Sequence, residues 1–217
     1  MGVRDDAIAK KKCITHRFRV SFPEVFEPKA FGEQEARYSI VMLFPDDTSF
    51  AVPAVPKGPD GKPRTRSMER AVENAKKEKW GNDPKKWPKN LRDPFRDGAE
   101  RSELQGYADT IFVTANSKNP PGLVDQKNRI ITEKDAAKFY PGCWARAEVI
   151  ANAYDQKGNK GVKFTLMNIQ KLEDDEPFTG RKDASAVFDA VDSDDEDDDQ
   201  EEGEEGEDSG DDDGFGF

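Results

Sequence analysis

The feature that most constrains this chain is the separation of its charges. The stretch from Asp183 to Phe217 holds 18 acidic residues and no Lys or Arg. The first 182 residues hold 34 basic against 27 acidic residues, a net of +7, so the overall charge of -11 conceals an electropositive body. Runs such as Asp194 to Asp199 repel themselves, and Val187, Phe188 and Val191 are almost the only core-forming residues beside them. The tail is therefore expected to stay disordered, and whatever folds must fold upstream of it.

Upstream, material for a core is limited. Hydrophobic residues make up 34% of the chain and charged residues 36%, which suits one ordinary domain with extras rather than two large ones. No apolar run approaches the roughly 18 residues of a membrane span. Met1 to Lys12 lacks the apolar stretch of a secretory signal, so none is expected. Two cysteines, Cys13 and Cys143, make no disulfide framework and suit a reducing cytosol. Cys13 and His16 have metal-ligand spacing, but a zinc site needs four closed ligands, and the plain reading is an ordinary thiol and imidazole beside a strand.

The pattern between residues 17 and 182 is that of short strands. Residues 1–16 read as a polar, basic lead-in. Phe18, Val20 and Phe22 then alternate with Arg17, Arg19 and Ser21, which predicts a half-buried strand with those three apolar residues inward, stopped by Pro23. Arg37 to Phe44 is apolar on nearly both faces and ends at Pro45, and the two strands are expected to pair across the loop from Glu27 to Ala36. An insertion of about 60 residues follows, from 46 to 106, long enough to suggest a function of its own. Its Pro/Gly/Lys opening (Pro53 to Pro63) cannot hold a strand. A helix is predicted from Ser67, its N-cap, on the spacing of Met68, Ala71, Val72 and Ala75, and Gly81 is placed to end it. Strands resume at Tyr107 to Thr114, Leu123 to Asp125 and Arg129 to Thr132, with a short helix over Glu133 to Phe139. Trp144 to Tyr154 and Gly161 to Leu172 form a hairpin. In it Ala145, Ala147, Val149, Val162, Phe164 and Leu166 point inward.

Three features suggest what such a body binds. Trp144 and Arg146 share the outward face of one strand, Arg17 and Arg19 that of another, and Lys163 that of a third. Aromatics that stack on bases beside cations that take phosphates are what a single nucleic-acid strand requires. A solvated strand face, with Trp144 covered by the insertion, is the alternative. Lys85-Lys86-Trp87-Pro88-Lys89 either reaches over a bound strand or pins the insertion to the sheet, and Trp80 reads as core. The tail ends Gly214-Phe215-Gly216-Phe217. An acidic segment competes with phosphates for a basic groove, while a terminal aromatic seats in a partner's pocket. Asp192, Asp194 and Glu196 have calcium-loop spacing, but Asp197 stands where such a loop needs glycine. Enzyme signatures are missing from the sequence: no phosphate loop with its lysine, no nucleophile motif, and no histidine besides His16.

Ordered islands of sequence resemble the phage-encoded single-stranded DNA-binding proteins. They are Phe18-Arg19-Val20-Ser21-Phe22-Pro23, Phe26-Glu27-Pro28-Lys29, Tyr38-Ser39 and Pro94-Phe95-Arg96-Asp97-Gly98. Further along stand Pro121-Gly122-Leu123-Val124-Asp125, Phe139-Tyr140-Pro141-Gly142-Cys143, Gly158 to Val162 and Asn168 to Leu172. The resemblance implies an OB-fold that coats single-stranded DNA during phage replication, recombination and repair. It also implies a tail that contacts replication proteins and competes with DNA.

The expectation is thus an all-β fold with a small α component, an OB-fold-like partly open barrel. It comprises a lead-in (1–16), a DNA-binding domain (17–182, insertion 46–106) and an acidic tail (183–217). DNA binding is expected from Arg17, Arg19, Trp87, Trp144, Arg146 and Lys163, and partner binding from Asp211, Asp212, Asp213, Phe215 and Phe217. Catalysis, cofactors, metals and a membrane are not expected. The expected setting is the cytoplasm of an infected bacterial host, with a homodimer left open. An acidic-tailed chaperone of basic proteins and an annealing or nuclease-associated recombination factor are the rival readings. The +7 body speaks against the first, and the lack of a metal cluster in the sequence against a nuclease.

Overall fold

The computed structural model describes residues 3–30, 32, 35–45, 68–156 and 158–178. Ser67, the segment Pro53 to Pro63 and the tail residues Asp211, Asp212, Asp213, Phe215 and Phe217 lie outside the described residues.

In chain order the elements are α1 (Val3–Lys11), β1 (Lys12–Ile14), β2 (Phe18–Lys29), β3 (Arg37–Pro45) and α2 (Met68–Trp80). Then follow β4 (Arg96–Asp97), β5 (Thr110–Ser117), β6 (Gly122–Val124), β7 (Trp144–Gln156) and β8 (Asn159–Glu173). The sheet runs β1-β7-β2-β3-β5-β8-β6, with β4 on β5, and β7 also pairs along β8. The path β2-β3-β5-β8-β7 therefore returns to β2. Its closures are slight: β2 meets β7 through two residue pairs, and β5 meets β8, in parallel, through two. The result is a mostly β, partly closed sheet of the OB plan, as expected.

Alternation places the core as predicted over most of the circuit. Phe18, Val20, Ala145, Ala147, Val149, Val162, Phe164 and Leu166 are buried, while Arg146, Lys163 and Met167 are exposed. β3 is buried on both sides, which explains its unbroken apolar sequence. Ile40, Met42 and Phe44 enter the main core, and Val41 and Leu43 join Tyr107 and Phe112 in a second cluster. α2 buries Met68, Ala71, Val72 and Ala75 and packs on β7. It ends at Gly81, whose φ of 88° only glycine adopts easily and whose N–H closes on the Lys77 carbonyl at 2.9 Å.

Five readings need correction. The lead-in is part of the fold: β1 pairs with β7, and α1 is tied to α2 by the Lys11–Glu78 ion pair of 2.6 Å. β2 does not stop at Pro23 but runs to Lys29. It passes Pro23 through a bulge, where the absent N–H costs no ladder bond. Phe22, expected inside with Phe18 and Val20, is 49% exposed, while Ser21, expected outside, is buried. The segment from Arg129 to Thr132 makes only a bridge, Ile130 to Val124, and β5 begins at Thr110 rather than Tyr107.

Candidate nucleic-acid interface

The β2–β7 junction gathers three of the expected residues. Because Arg19 stands opposite Trp144 in register, both project from the same side of the sheet. The Arg17 guanidinium lies 4.1 Å from the Trp144 ring centre and that of Arg19 5.4 Å from it. Cations over an indole face are a natural seat for a base and its phosphate.

That seat is already engaged, by the acidic strap that follows β8. Asp175 Oδ2 accepts from the Trp144 indole N–H at 2.6 Å and pairs with Arg19 at 3.0 Å. Arg17 pairs with Glu173 at 3.2 Å. Arg19 further donates to the carbonyls of Gly142 and Glu176, and its guanidinium lies 4.7 Å from the Phe178 ring centre. Phe178 is fixed in turn by its N–H on the Pro141 carbonyl (2.9 Å) and packs with Leu104 on the second cluster. Any side chain at Gly142, where φ is 105°, would run into the Glu176 carbonyl. The Glu176 N–H, the Trp144 indole and the Arg19 and Arg17 charges hold the Asp175 carboxyl below the ordinary carboxylate range. Asp174 is lowered likewise by Lys171 and the Tyr140 hydroxyl. Burial and the Asp174 hydrogen bond push the Tyr140 hydroxyl up.

The other expected residues stand apart. Arg146 is exposed and donates to Gln170, its cross-strand neighbour, at 2.8 Å. Lys163 pairs in register with Asn152, six residues further along β7, which places it roughly 20 Å from Arg146 at the rise of a strand. Trp87 sits on the insertion, its indole N–H on the Gly81 carbonyl at 2.8 Å and the Lys76 ammonium 6.0 Å from its ring centre. The bond ties its loop to the end of α2 and leaves the ring half-buried. Among the described residues, no cluster of His, Cys, Asp or Glu is arranged to hold a metal ion.

A second surface escaped the sequence reading. On the outer face of β2, β3 and β5 a groove of about 460 Å³ is lined by Phe22, Glu24, Lys29, Glu35, Arg37, Ser39, Val41, Arg101, Thr114 and Asn116. Ser21 pairs with Val41 and Glu24 with Ser39, so Phe22 and Pro23 together oppose Ile40. This bulge turns the Phe22 ring outward. The one signal in the sequence was Pro23 itself, which inside a strand points to a bulge as readily as to an end.

Comparison with known proteins agrees with this architecture. The model of the family described as "Enterobacter phage Enc34, ssDNA-binding protein" matches residues 11–200. Protein p50 of Acyrthosiphon pisum secondary endosymbiont phage 1 is 30% identical over 169 residues, 75% of this chain and 83% of that protein. Among solved structures, the single-stranded DNA-binding protein of bacteriophage Enc34 in complex with ssDNA is 20% identical. It superposes with a TM-score of 0.61 over 78% of this chain and 90% of that one. The single-stranded DNA-binding protein encoded by bacteriophage T7 is 14% identical, with a TM-score of 0.51 over 80% of this chain and 98% of that one. At these identities the two structures speak for the fold.

Proposed function

From the premise that this chain belongs to the Enc34 family of phage single-stranded DNA-binding proteins, we propose that it coats single-stranded DNA, without catalysis, in the infected host cell. The observation that carries the reading is the family match across residues 11–200, a range that holds every strand of the described sheet and the insertion. The net charge of +7 on the first 182 residues supports it, since phosphate neutralisation dominates such affinity. The OB plan supports it too, because the face of the second and third circuit strands, here β3 and β5, is where such folds take oligonucleotides. Among the described residues no helix is long and apolar enough to cross a membrane.

In this reading Arg17, Arg19, Arg146 and Lys163 follow the phosphate backbone, and Trp144 and Trp87 stack bases. The protein acts in replication, recombination and repair, and the acidic tail competes with DNA and docks replication proteins through Asp211 to Asp213, Phe215 and Phe217. The strap lends the competition a physical form: the carboxylates of Glu173 and Asp175 stand on Arg17, Arg19 and Trp144 as phosphates would.

Anisotropy titrations of labelled single- and double-stranded oligonucleotides at several salt concentrations test the reading. Single strands should bind more tightly, with affinity falling steeply as salt rises. Equal affinity for duplex, or a flat salt response, would refute it.

A further inference from the structure

The positive excess of the body is concentrated on the insertion. Residues 76–92 hold seven basic residues against two acidic ones, a net of +5 where the first 182 residues together have +7. Both acids are engaged elsewhere: Glu78 pairs with Lys11 at 2.6 Å, and Asp83 accepts the Lys85 N–H at 3.1 Å. Lys77 is taken by Glu73 at 2.6 Å. Lys79, Lys85, Lys86, Lys89 and Arg92 are exposed and make no ion pair among the described residues.

These five cations stand on a fixed arch. Trp80 before it and Phe95 after it both pack against the main core, Phe95 edge-on to Phe164. Between them the Gly81 carbonyl takes the Trp87 indole N–H at 2.8 Å, and the Lys86 and Trp87 N–H groups close on the Asp83 and Pro84 carbonyls. At the far end the Arg92 N–H donates to the Lys160 carbonyl at 2.9 Å, and its carbonyl accepts from Val162 at 3.3 Å, a parallel bridge to Gly161. Lys163 stands two residues beyond Gly161, roughly 7 Å along the strand on the same face. The arch therefore joins the sheet beside a cation that the functional reading already gives to DNA.

Five cations on one rigid segment repel one another, and nothing among the described residues answers them. A polyanion does. A protein partner needs an apolar centre as well as charge. The exposed large hydrophobics among the described residues are Ile8, Ile14, Phe22, Ile130 and Met167, and none of them lies on the arch. A sugar–phosphate backbone needs only cations along its path.

We propose that the arch of residues 81–92, with Lys79 at its base, is a second phosphate-binding surface that takes the backbone of a bound strand beyond the sheet. The proposal rests on the single-strand-binding reading above and goes further by giving the insertion a task and the strand a path. Contacts of this kind add length and affinity without reading sequence.

The experiment compares full-length wild type with two triple variants, Lys85→Ala/Lys86→Ala/Lys89→Ala and Lys85→Arg/Lys86→Arg/Lys89→Arg. The probes are labelled oligothymidylates of about 8 nucleotides, within the span of one OB fold, and of about 24. The alanine variant should melt as wild type does, because these side chains are exposed. On the long strand it should lose about 10- to 100-fold in affinity at low salt, with a salt slope flatter by about two units. On the short strand it should bind within about twofold of wild type. The arginine variant keeps the charge and should match wild type on both strands. Unchanged long-strand affinity in the alanine variant would overturn the arch as a contact while the function stands. An equal loss on both strands would make the lysines part of a general field and overturn it as well. Polyglutamate held as tightly as the long strand, and released by the alanine changes, would give the arch to acidic proteins instead. If wild-type protein binds neither strand, the single-strand reading fails and the arch proposal with it.

Discussion

Two regions of this molecule set guanidinium groups beside an aromatic ring, and their fates are opposite. At the β2–β7 junction, Trp144, Arg17 and Arg19 are answered by the strap, with Asp175 bonded to both the indole and Arg19. In the groove, Phe22 is exposed and Arg101 makes no ion pair among the described residues. The same residue types serve a closed seat in one place and an open one in the other. What distinguishes a binding surface from a structural clasp is therefore not aromatics and cations on a strand, but whether the chain itself supplies their partners.

The widest separation should appear in stability. Arg19→Ala removes donors from two carbonyls and a carboxylate, and is expected to cost about 2–3 kcal/mol. Arg101→Ala gives up only its place over Phe112, at most about 1 kcal/mol. Urea unfolding of both variants checks the contrast, and equal losses would erase it. Next in size is the effect of Trp144→Phe. It keeps a stacking face but loses the N–H to Asp175, so about 1 kcal/mol of stability should go while DNA affinity is retained. A large loss of affinity in this variant would mean that the indole itself, and not any stacking ring, is what DNA requires at the junction. Deleting Asp183 to Phe217 should raise single-strand affinity at low salt, with the gain fading as salt increases. An unchanged affinity at low salt would make the tail a mere solubiliser.

The smallest effect is that of pH. Asp174 and Asp175 titrate below their ordinary values in the fold, so the strap's contribution is complete above the ordinary carboxylate range. It is lost as pH falls through the lowered values. Trp144 fluorescence, read with Trp80 and Trp87 changed to Phe, should shift in that acidic window and stay flat from there to neutrality.

The legible parts of the fold were those governed by local period. The β7–β8 hairpin declares both faces by alternation, and Gly81 declares the end of α2. The family islands conveyed the OB plan. Phe22 was misplaced because a bulge shifts the period by one residue, and period two carries no memory of where a shift occurs. The strap was invisible for a different reason. Arg17 and Glu173 are 156 residues apart, and no pattern in either segment names the other. Trp144 and Arg19 could be recognised as an aromatic–cation pair from sequence, but not as one already satisfied.

The strap also decides how the fold bears load. A pull on the chain beyond Phe178 falls first on the Phe178 N–H, the Arg19 bonds and the Asp175 carboxylate, all of them short-range contacts at the rim. The β7–β8 ladder, with its long antiparallel register, is loaded only after these yield. The strap thus works as a mechanical fuse. Tension at the C-terminal side peels it from Trp144 and the two arginines while the sheet beneath stays whole.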